Sequence, residues 1–270
     1  MIEHDRRPWA DGTVLTDPER NSMSASSPLE GTVSLVTGGG RGIGRASTLA
    51  LARAGAAVAV AARSLDQVEG VAEEIRAEGG RALALQVDVT VADQVHAMVK
   101  QTVAEFGGLH VMLCNAGGGL TSGRLIDSDA DEWTHTITLN LDSVFHCAQA
   151  ALPVMSEQRS GKILVMGSGT GHTPTPGSSA YAAAKAGVSQ LVRVLSQEVW
   201  RDGIDVNEIV PGPVATELTK DNFSLGEAPA LSKMERVKAP EEVAELVVWL
   251  ATRPPSGPTG QVFSLARRAL

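Results

Sequence analysis

Aromatic side chains are scarce in this sequence of 270 residues. They make up 3% of the chain, with four Trp, four Phe and one Tyr. The core must therefore be built from Ala, Val, Leu and Ile, and any chemistry that needs a phenol has a single location, Tyr181. Glycine is plentiful at 28 residues but follows no three-residue period, which excludes a collagen-like chain.

Cysteines and long apolar runs are also few. Cys114 and Cys147 lie in apolar segments, so we expect buried free thiols rather than a disulfide, and we expect no metal site. The longest apolar run, residues 56–62, is far shorter than the roughly 20 residues of a membrane helix. No apolar segment follows Arg6-Arg7, so no export signal is predicted and a cytoplasmic protein is expected.

Positive charge is in deficit. The chain has 23 Lys and Arg against 31 Asp and Glu, which gives a net charge of −8, and it contains no long basic block. Nucleic acids and anionic membranes attract proteins through such blocks. We therefore expect neither as a partner.

Two kinds of segment follow one another along the chain. Residues 1–28 carry scattered Pro, Ser and charged residues without periodicity, which predicts a flexible arm. Residues 29–270 show no repeat or linker and are expected to form one domain.

Within residues 29–270, short apolar runs predict strands and amphipathic segments predict helices. The strands are predicted at 33–36, 57–62, 82–87, 111–113, 162–166, 205–210 and 261–265, and the helices at 43–53, 65–78, 91–106, 130–155, 180–200 and 240–251.

This alternation predicts an α/β fold. Strands that are apolar on both faces belong to parallel sheets covered by helices on both sides. Right-handed crossovers then give a Rossmann-like, doubly wound, parallel seven-stranded sheet with three helices on each face. The polar segment 217–239, with a few apolar residues and nearly balanced charges, is predicted to be a substrate lid.

A glycine-rich loop joins the first strand to the first helix. Its backbone can approach a diphosphate closely, and the helix that follows presents free N–H groups. It is not a Walker loop, because Arg45-Ala46 stands where Lys-Ser/Thr is required. We therefore predict a dinucleotide site; its loop residues are Gly38, Gly40, Arg41, Gly42, Ile43 and Gly44.

The residues after the second strand indicate which dinucleotide is bound. An acidic residue there would bind the ribose 2′-OH of NAD. The sequence instead has Arg63-Ser64, and Arg41 in the glycine loop supplies a second guanidinium. Two guanidinium groups without a carboxylate suit a 2′-phosphate. NADP(H) is therefore the preferred cofactor and NAD(H) the less favoured one.

Tyr181 is followed four residues later by Lys185. On a helix this spacing places both side chains on one face. A nearby cation favours the phenolate and is expected to lower the pKa of Tyr181 toward the working range of an acid–base catalyst. The intervening small residues, Ala182-Ala183-Ala184, would allow a flat cofactor or another helix to approach.

With these motifs, residues 29–262 resemble the short-chain dehydrogenase/reductase family, in particular its 3-oxoacyl thioester reductases. The glycine loop, Tyr181 and Lys185 match the family's pattern, as do further motifs in the same order. These are Asp88-Val89, Asn115-Ala116-Gly117, Asn140, Ser168, Pro211-Gly212-Pro213-Val214 and Thr216.

The resemblance implies a role for each motif. Asp88-Val89 would contact the adenine, Asn115-Ala116-Gly117 would border the cofactor, and the segment from Pro211 to Thr216 would close over the nicotinamide. Tyr181 would donate a proton, Ser168 would polarise the carbonyl oxygen, Lys185 would hold the ribose, and Asn140 would anchor a water. The implied assembly is a homodimer or homotetramer.

Several alternatives remain open from the residues. His172, Thr173 and Pro174 are expected to line the substrate pocket, although His172 could equally face solvent. The implied substrate is a small carbonyl or alcohol, with a 3-oxoacyl thioester as first choice and a sugar or polyol as second. A non-catalytic dinucleotide-binding regulator is the alternative of another class, whereas a methyltransferase has no use for Tyr181 and Lys185.

Overall fold

The computed structural model describes residues 27–119, 123–220, 223–227 and 235–267 of the chain. Apart from Ser27 and Pro28, the predicted N-terminal arm lies outside these residues, and the predicted lid is described only in part. Leu29 is buried, and its backbone N–H donates to the carbonyl of Ala54 at 2.8 Å.

Within the described residues, seven strands form one parallel sheet in the order β3-β2-β1-β4-β5-β6-β7. β1 lies inside the sheet between β2 and β4, and its Leu35 lies opposite Ala59 of β2 and Met112 of β4. The strand order reverses between β1 and β4, and the crevice at the carboxyl ends of strands at such a reversal is the usual binding position in this architecture. The strands are β1 (Val33–Thr37), β2 (Ala57–Ala62), β3 (Ala82–Gln86), β4 (Val111–Cys114), β5 (Gly161–Met166), β6 (Ile204–Val210) and β7 (Val262–Ser264).

Helices cover both faces of the sheet, as predicted. Among the described helices, α1, α2 and α7 bury Leu51, Val68 and Val247 on one face. Helices α3, α5 and α6 cover the other face, where Met98 and Val188 are fully buried. The described helices are α1 (Gly42–Arg53), α2 (Leu65–Ala77), α3 (Ala92–Phe106), α4 (Ala130–Ile137), α5 (Ser143–Gln158), α6 (Ser179–Val199) and α7 (Pro240–Ala251).

Two details differ from the sequence-based expectations. The single helix predicted at 130–155 is α4 followed by a π-helical turn, Thr138–Asp142, and then α5, which ends at Gln158. The prediction that every strand is apolar on both faces is wrong for β6, where three buried residues are polar. Each has a partner: Asp205 pairs with Lys162, Asn207 binds the carbonyl of Pro258, and Glu208 binds His172 and Ser189.

The cysteines are free and buried, as expected. Cys114 ends β4 and Cys147 lies on α5, and both belong to the apolar layer between the sheet and α3, α5 and α6. None of the described helices has the length and apolar character needed to cross a bilayer.

Candidate active site

One large cleft lies at the carboxyl ends of β1, β4 and β5. Its volume is about 900 Å³, and the predicted cofactor-binding and catalytic residues all line it, from the glycine loop to Thr216. The structure therefore brings together motifs that are up to 178 positions apart in the chain, between Gly38 and Thr216.

In the glycine loop, the backbone at Gly44 packs closely against the backbone at Gly38. Gly38 and Gly42 have φ of 64° and 52°, in the left-handed region that side chains with a Cβ rarely adopt. A Cβ on Gly44 would lie 2.1 Å from the carbonyl oxygen of Gly38. No side chain among the described residues caps the N-terminus of α1, and its first turn contains no acidic residue. The first N–H groups of α1 are therefore available to an anion.

The two arginines predicted to choose the cofactor lie at one end of the cleft. Arg41 and Arg63 are both exposed and both line it. Asp88, after β3, lies near Arg63 and accepts hydrogen bonds from the Thr90 hydroxyl at 2.7 Å and from its N–H at 3.0 Å. Burial disfavours the Asp88 carboxylate, but these hydrogen bonds and the charge of Arg63 outweigh it and lower the pKa of Asp88.

Asn115 joins the ends of β1 and β4 beneath the glycine loop. Its Nδ2 donates to the carbonyls of Thr37 at 2.9 Å and Gly38 at 3.2 Å. The Thr37 hydroxyl in turn accepts from the backbone N–H groups of Asn115 and Ala116. These bonds fix the floor of the cleft at the point where the strand order reverses.

The π-helical turn places Asn140 beside Gly117. Asn140 is fully buried, and its Nδ2 donates to the carbonyls of Gly118 at 2.8 Å and Thr136 at 2.9 Å. A Cβ on Gly117 would lie 2.9 Å from Asn140 Oδ1 and 3.7 Å from Lys185 Nζ. Asn140 and Lys185 therefore face the same small volume of the cleft. π-Helical turns inside α-helices occur frequently at functional sites.

Ser168 lies directly after β5 and faces Tyr181. Its Oγ is 2.7 Å from the Thr170 hydroxyl and accepts from the Thr170 N–H at 3.3 Å, so Ser168 also caps the short 3₁₀ turn Gly169–Gly171. The same side chain lies close enough to the Tyr181 phenol to favour the phenolate. Capping the turn and contacting Tyr181 are thus compatible roles of one hydroxyl.

Tyr181 and Lys185 occupy one face of α6, as their spacing predicts. Lys185 Nζ lies 5.6 Å from the centre of the Tyr181 ring and donates to the carbonyl of Met166 at 2.8 Å. Burial raises the pKa of Tyr181, and the nearby Ser168 hydroxyl opposes this only in part. The prediction that Lys185 lowers the pKa of Tyr181 is therefore wrong for this structure. Burial also lowers the pKa of Lys185, to about 8.

The segment after β6 closes the cleft against the glycine loop. Gly212 has φ of 67°, and Val214 forms a parallel bridge with Lys238. A Cβ on Gly42 would lie 3.3 Å from the Thr216 methyl group. The segment from Pro211 to Thr216 is thus placed against the glycine loop.

His172 occupies neither of the positions considered for it. Its side chain turns inward, with Nε2 3.0 Å from Glu208 Oε1 and 3.1 Å from the Ser189 hydroxyl. The described lining of the cleft includes Thr175 and Ser178 instead of Thr173 and Pro174. The prediction that residues 172–174 line the pocket is therefore wrong, because loop geometry, which the sequence pattern does not specify, turns His172 toward β6.

Some lining residues were missed by the sequence analysis. Ser64 and Gln67 lie beside Arg63, and Leu218 and Phe223 follow the segment from Pro211 to Thr216. The position of Ser64 and Gln67 at the start of α2, just after Arg63, is a signal that could have identified them. Nothing in the pattern of segment 217–239 distinguished Leu218 and Phe223 from its other apolar residues.

Comparison with known proteins gives a consistent match. A family model described as short chain dehydrogenase matches residues 32–225. A 3-oxoacyl-[acyl-carrier-protein] reductase from Synechocystis sp. is 38% identical over 242 residues, which cover 88% of this chain and 96% of that protein. A cyclohexanol dehydrogenase from Rhodococcus sp. is 37% identical over 252 residues, covering 85% of this chain and 93% of the relative.

A solved structure agrees with the fold. A short-chain type dehydrogenase/reductase from Mycobacterium marinum superimposes with a TM-score of 0.82 at 36% identity, covering 88% of this chain and 95% of the other. The similarity therefore extends over nearly the whole of both chains.

Proposed function

We propose that this chain, which belongs to the short-chain dehydrogenase/reductase family, interconverts a carbonyl and a secondary alcohol with NADP(H), using Tyr181 as the proton donor. The reaction class is that of its relatives: the chain is an oxidoreductase of carbonyl and alcohol groups. The observation that carries the assignment of residues is the cluster in which Ser168, Tyr181 and Lys185 line one cleft, with Ser168 beside the Tyr181 phenol and Lys185 one helical turn away.

The residues around the cleft fit a nicotinamide dinucleotide. The cleft is large enough at about 900 Å³, and the glycine loop has no room for a Cβ at Gly44. The uncapped N-terminus of α1 would hold the diphosphate. Arg41 and Arg63 would bind a 2′-phosphate, which supports NADP(H) over NAD(H). When bound, the nicotinamide ring supplies or accepts the hydride.

Residues of the chain would supply the proton that the reduced carbonyl oxygen takes up. Because burial raises its pKa, Tyr181 remains protonated at neutral pH and can donate to the alkoxide oxygen that develops in reduction. The Ser168 hydroxyl would hydrogen-bond the same oxygen and polarise the carbonyl. Lys185 would hold the nicotinamide ribose with its ammonium, and Asn140 would order a water between Lys185 and the interior of the protein.

The substrate side favours apolar compounds with some polar contacts. Leu218 and Phe223 provide apolar surface, and Thr175 and Ser178 provide hydroxyl groups. A 3-oxoacyl thioester remains our first candidate, supported by the reductase from Synechocystis sp.. A small alicyclic ketone or alcohol is a second, supported by the cyclohexanol dehydrogenase from Rhodococcus sp..

A homo-oligomer is part of the proposal. Phe145 on α5, Val194 on α6 and Trp200 just after it are exposed large hydrophobic residues. Burying them against a second copy would favour association. Light scattering of the purified chain is expected to give the mass of a dimer or tetramer; a monomer at micromolar concentration would contradict it.

The test is a comparison of substrates and cofactors. NADPH oxidation is followed at 340 nm with an acetoacetyl thioester, cyclohexanone and a keto sugar, and each reaction is repeated with NADH. We expect turnover with at least one ketone and a higher kcat/KM with NADPH. Equal or reversed preference contradicts the NADP(H) assignment. NADPH binding without turnover in either direction would indicate the non-catalytic regulator.

A further inference from the structure

A buried carboxylate stands behind the active-site cluster. Glu208 on β6 has no exposed surface, yet both its oxygens have partners. Oε1 is 3.0 Å from His172 Nε2, and Oε2 accepts from the Ser189 hydroxyl at 2.7 Å. Buried carboxylates are rare unless paired in this way. None of the steps described above uses Glu208.

Its two partners belong to the two segments that carry the active-site residues. His172 directly follows the 3₁₀ turn that Ser168 caps. Ser189 lies one turn beyond Lys185 on α6, and its hydroxyl is also 3.2 Å from the Lys185 carbonyl. Glu208 therefore connects the Ser168 turn and helix α6 through side-chain hydrogen bonds.

Close packing at Gly167 leaves the carboxylate little freedom. A Cβ at this position, immediately before Ser168, would lie 2.0 Å from Glu208 Oε1. Glycine at 167 thus makes room for the carboxylate beside the chain that leads into the Ser168 turn. The arrangement depends on two residues that fit each other, Gly167 and Glu208.

We propose that Glu208 is a positioning residue: through His172 and Ser189 it holds the Ser168 turn against helix α6. Its carboxylate lies against Gly167, next to the Met166 carbonyl that Lys185 binds, where its negative charge stabilises the ammonium. The proposal rests on the proposed function, because it gives Lys185 and Ser168 the roles described there.

The electrostatic surroundings of Lys185 support this assignment. Glu208 faces it from β6 and Cys114 from β4, Tyr181 lies on its own helix, and His172 contacts Glu208. Burial lowers the pKa of Lys185 to about 8, and the negative charge of Glu208 is the largest opposing influence, ahead of Cys114. Removing that charge must lower the pKa of Lys185 further.

The direct test is the titration of Lys185 by NMR in protein with ¹³C-labelled lysine side chains, with the Lys185 signal assigned by loss in Lys185→Arg. In the wild type we expect a midpoint near pH 8. In Glu208→Gln, which keeps the size of the side chain, we expect the midpoint to fall by roughly half to one pH unit. Asp205→Asn is the matched control, because Asp205 is a buried carboxylate on the same strand but binds Lys162. An unchanged midpoint in Glu208→Gln would overturn the proposal.

The NMR readout does not depend on turnover, so failure of the proposed function and failure of this inference are distinguishable. If the wild type reduces a ketone, the alkaline limb of kcat/KM is expected to move in Glu208→Gln by the same amount and in the same direction, while Asp205→Asn leaves it in place. A purely structural role of Glu208 would lower activity equally at all pH values, and that result would also overturn the proposal.

A second variant covers the case in which Glu208→Gln does not fold. Ser189→Ala removes one hydrogen bond to the carboxylate and keeps every charge. We expect faster amide hydrogen exchange in residues 169–172 and in the part of α6 around Ser189, since the connection between them is weakened. Unchanged protection in both segments would overturn the proposal.

Discussion

Replacing Lys185 by methionine is predicted to stabilise the folded chain at neutral pH, although Lys185 belongs to the active-site cluster. Burial moves its pKa from 10.5 to about 8. At 1.36 kcal/mol per pKa unit, the folded state loses about 3 kcal/mol by holding this ammonium. The variant also gives up the hydrogen bond from this ammonium to the Met166 carbonyl, which is worth roughly 1.5–3 kcal/mol. The expected net gain at pH 7 is therefore about 1 kcal/mol.

The gain depends on pH in a defined direction. The folded-state pKa is below the unfolded value, so the penalty is complete below about pH 8 and is relieved as the pH rises toward 10.5. Urea unfolding of Lys185→Met and wild type, followed by circular dichroism, is measured at pH 7 and pH 10. We expect the variant to be more stable at pH 7 and to lose that advantage at pH 10, and we expect no reductase activity from it.

Lys162→Met is the matched control. Lys162 is also largely buried, but its Nζ lies 2.9 Å from Asp205 Oδ2. Removing this cation leaves a buried carboxylate unpaired, so the expected loss is about 3 kcal/mol or more. The reasoning is refuted if Lys185→Met is less stable than wild type at pH 7, or if its advantage is the same at both pH values.

Three further predictions concern the cleft. Arg63→Ala is expected to raise the KM for NADPH roughly ten- to hundredfold and that for NADH less than about threefold, because a charged hydrogen bond is worth about 1.5–3 kcal/mol; a parallel rise for both cofactors would contradict it. Gly44→Ala should weaken NADPH binding, measured by fluorescence, by roughly tenfold or more, since its Cβ would lie 2.1 Å from the Gly38 oxygen. Phe223→Ala should raise the KM of an apolar ketone by roughly tenfold and leave that of NADPH unchanged, which steady-state kinetics will show.

Much of the fold could be predicted because local patterns and tertiary structure agree. Strand β2 and helix α7 have the predicted boundaries, since each is a continuous apolar or amphipathic segment between clear breaks. β6 was placed correctly but its burial was misjudged. Polar residues in a central strand can be buried when another element supplies their partners, and those partners are distant in sequence.

In the candidate site too, local features could be predicted from the sequence, whereas features that depend on distant residues could not. Spacing along one helix predicts that Tyr181 and Lys185 share a face, which the structure shows. The direction of the Tyr181 pKa shift could not be obtained from spacing, because it depends on how much water the whole cleft excludes. The orientation of His172 could not be predicted from the sequence either, since it depends on Glu208, 36 residues later.

The central claim is that the one tyrosine of the chain donates the proton in carbonyl reduction, and Tyr181→Phe tests it most directly. The variant keeps the ring and loses only the phenolic hydroxyl. With NADPH and the best ketone found for the wild type, we expect kcat to fall about a hundredfold or more, while NADPH still binds with an unchanged Kd. A variant that retains more than about a tenth of the wild-type kcat would contradict the account, because general acid catalysis contributes at least about a hundredfold where it operates.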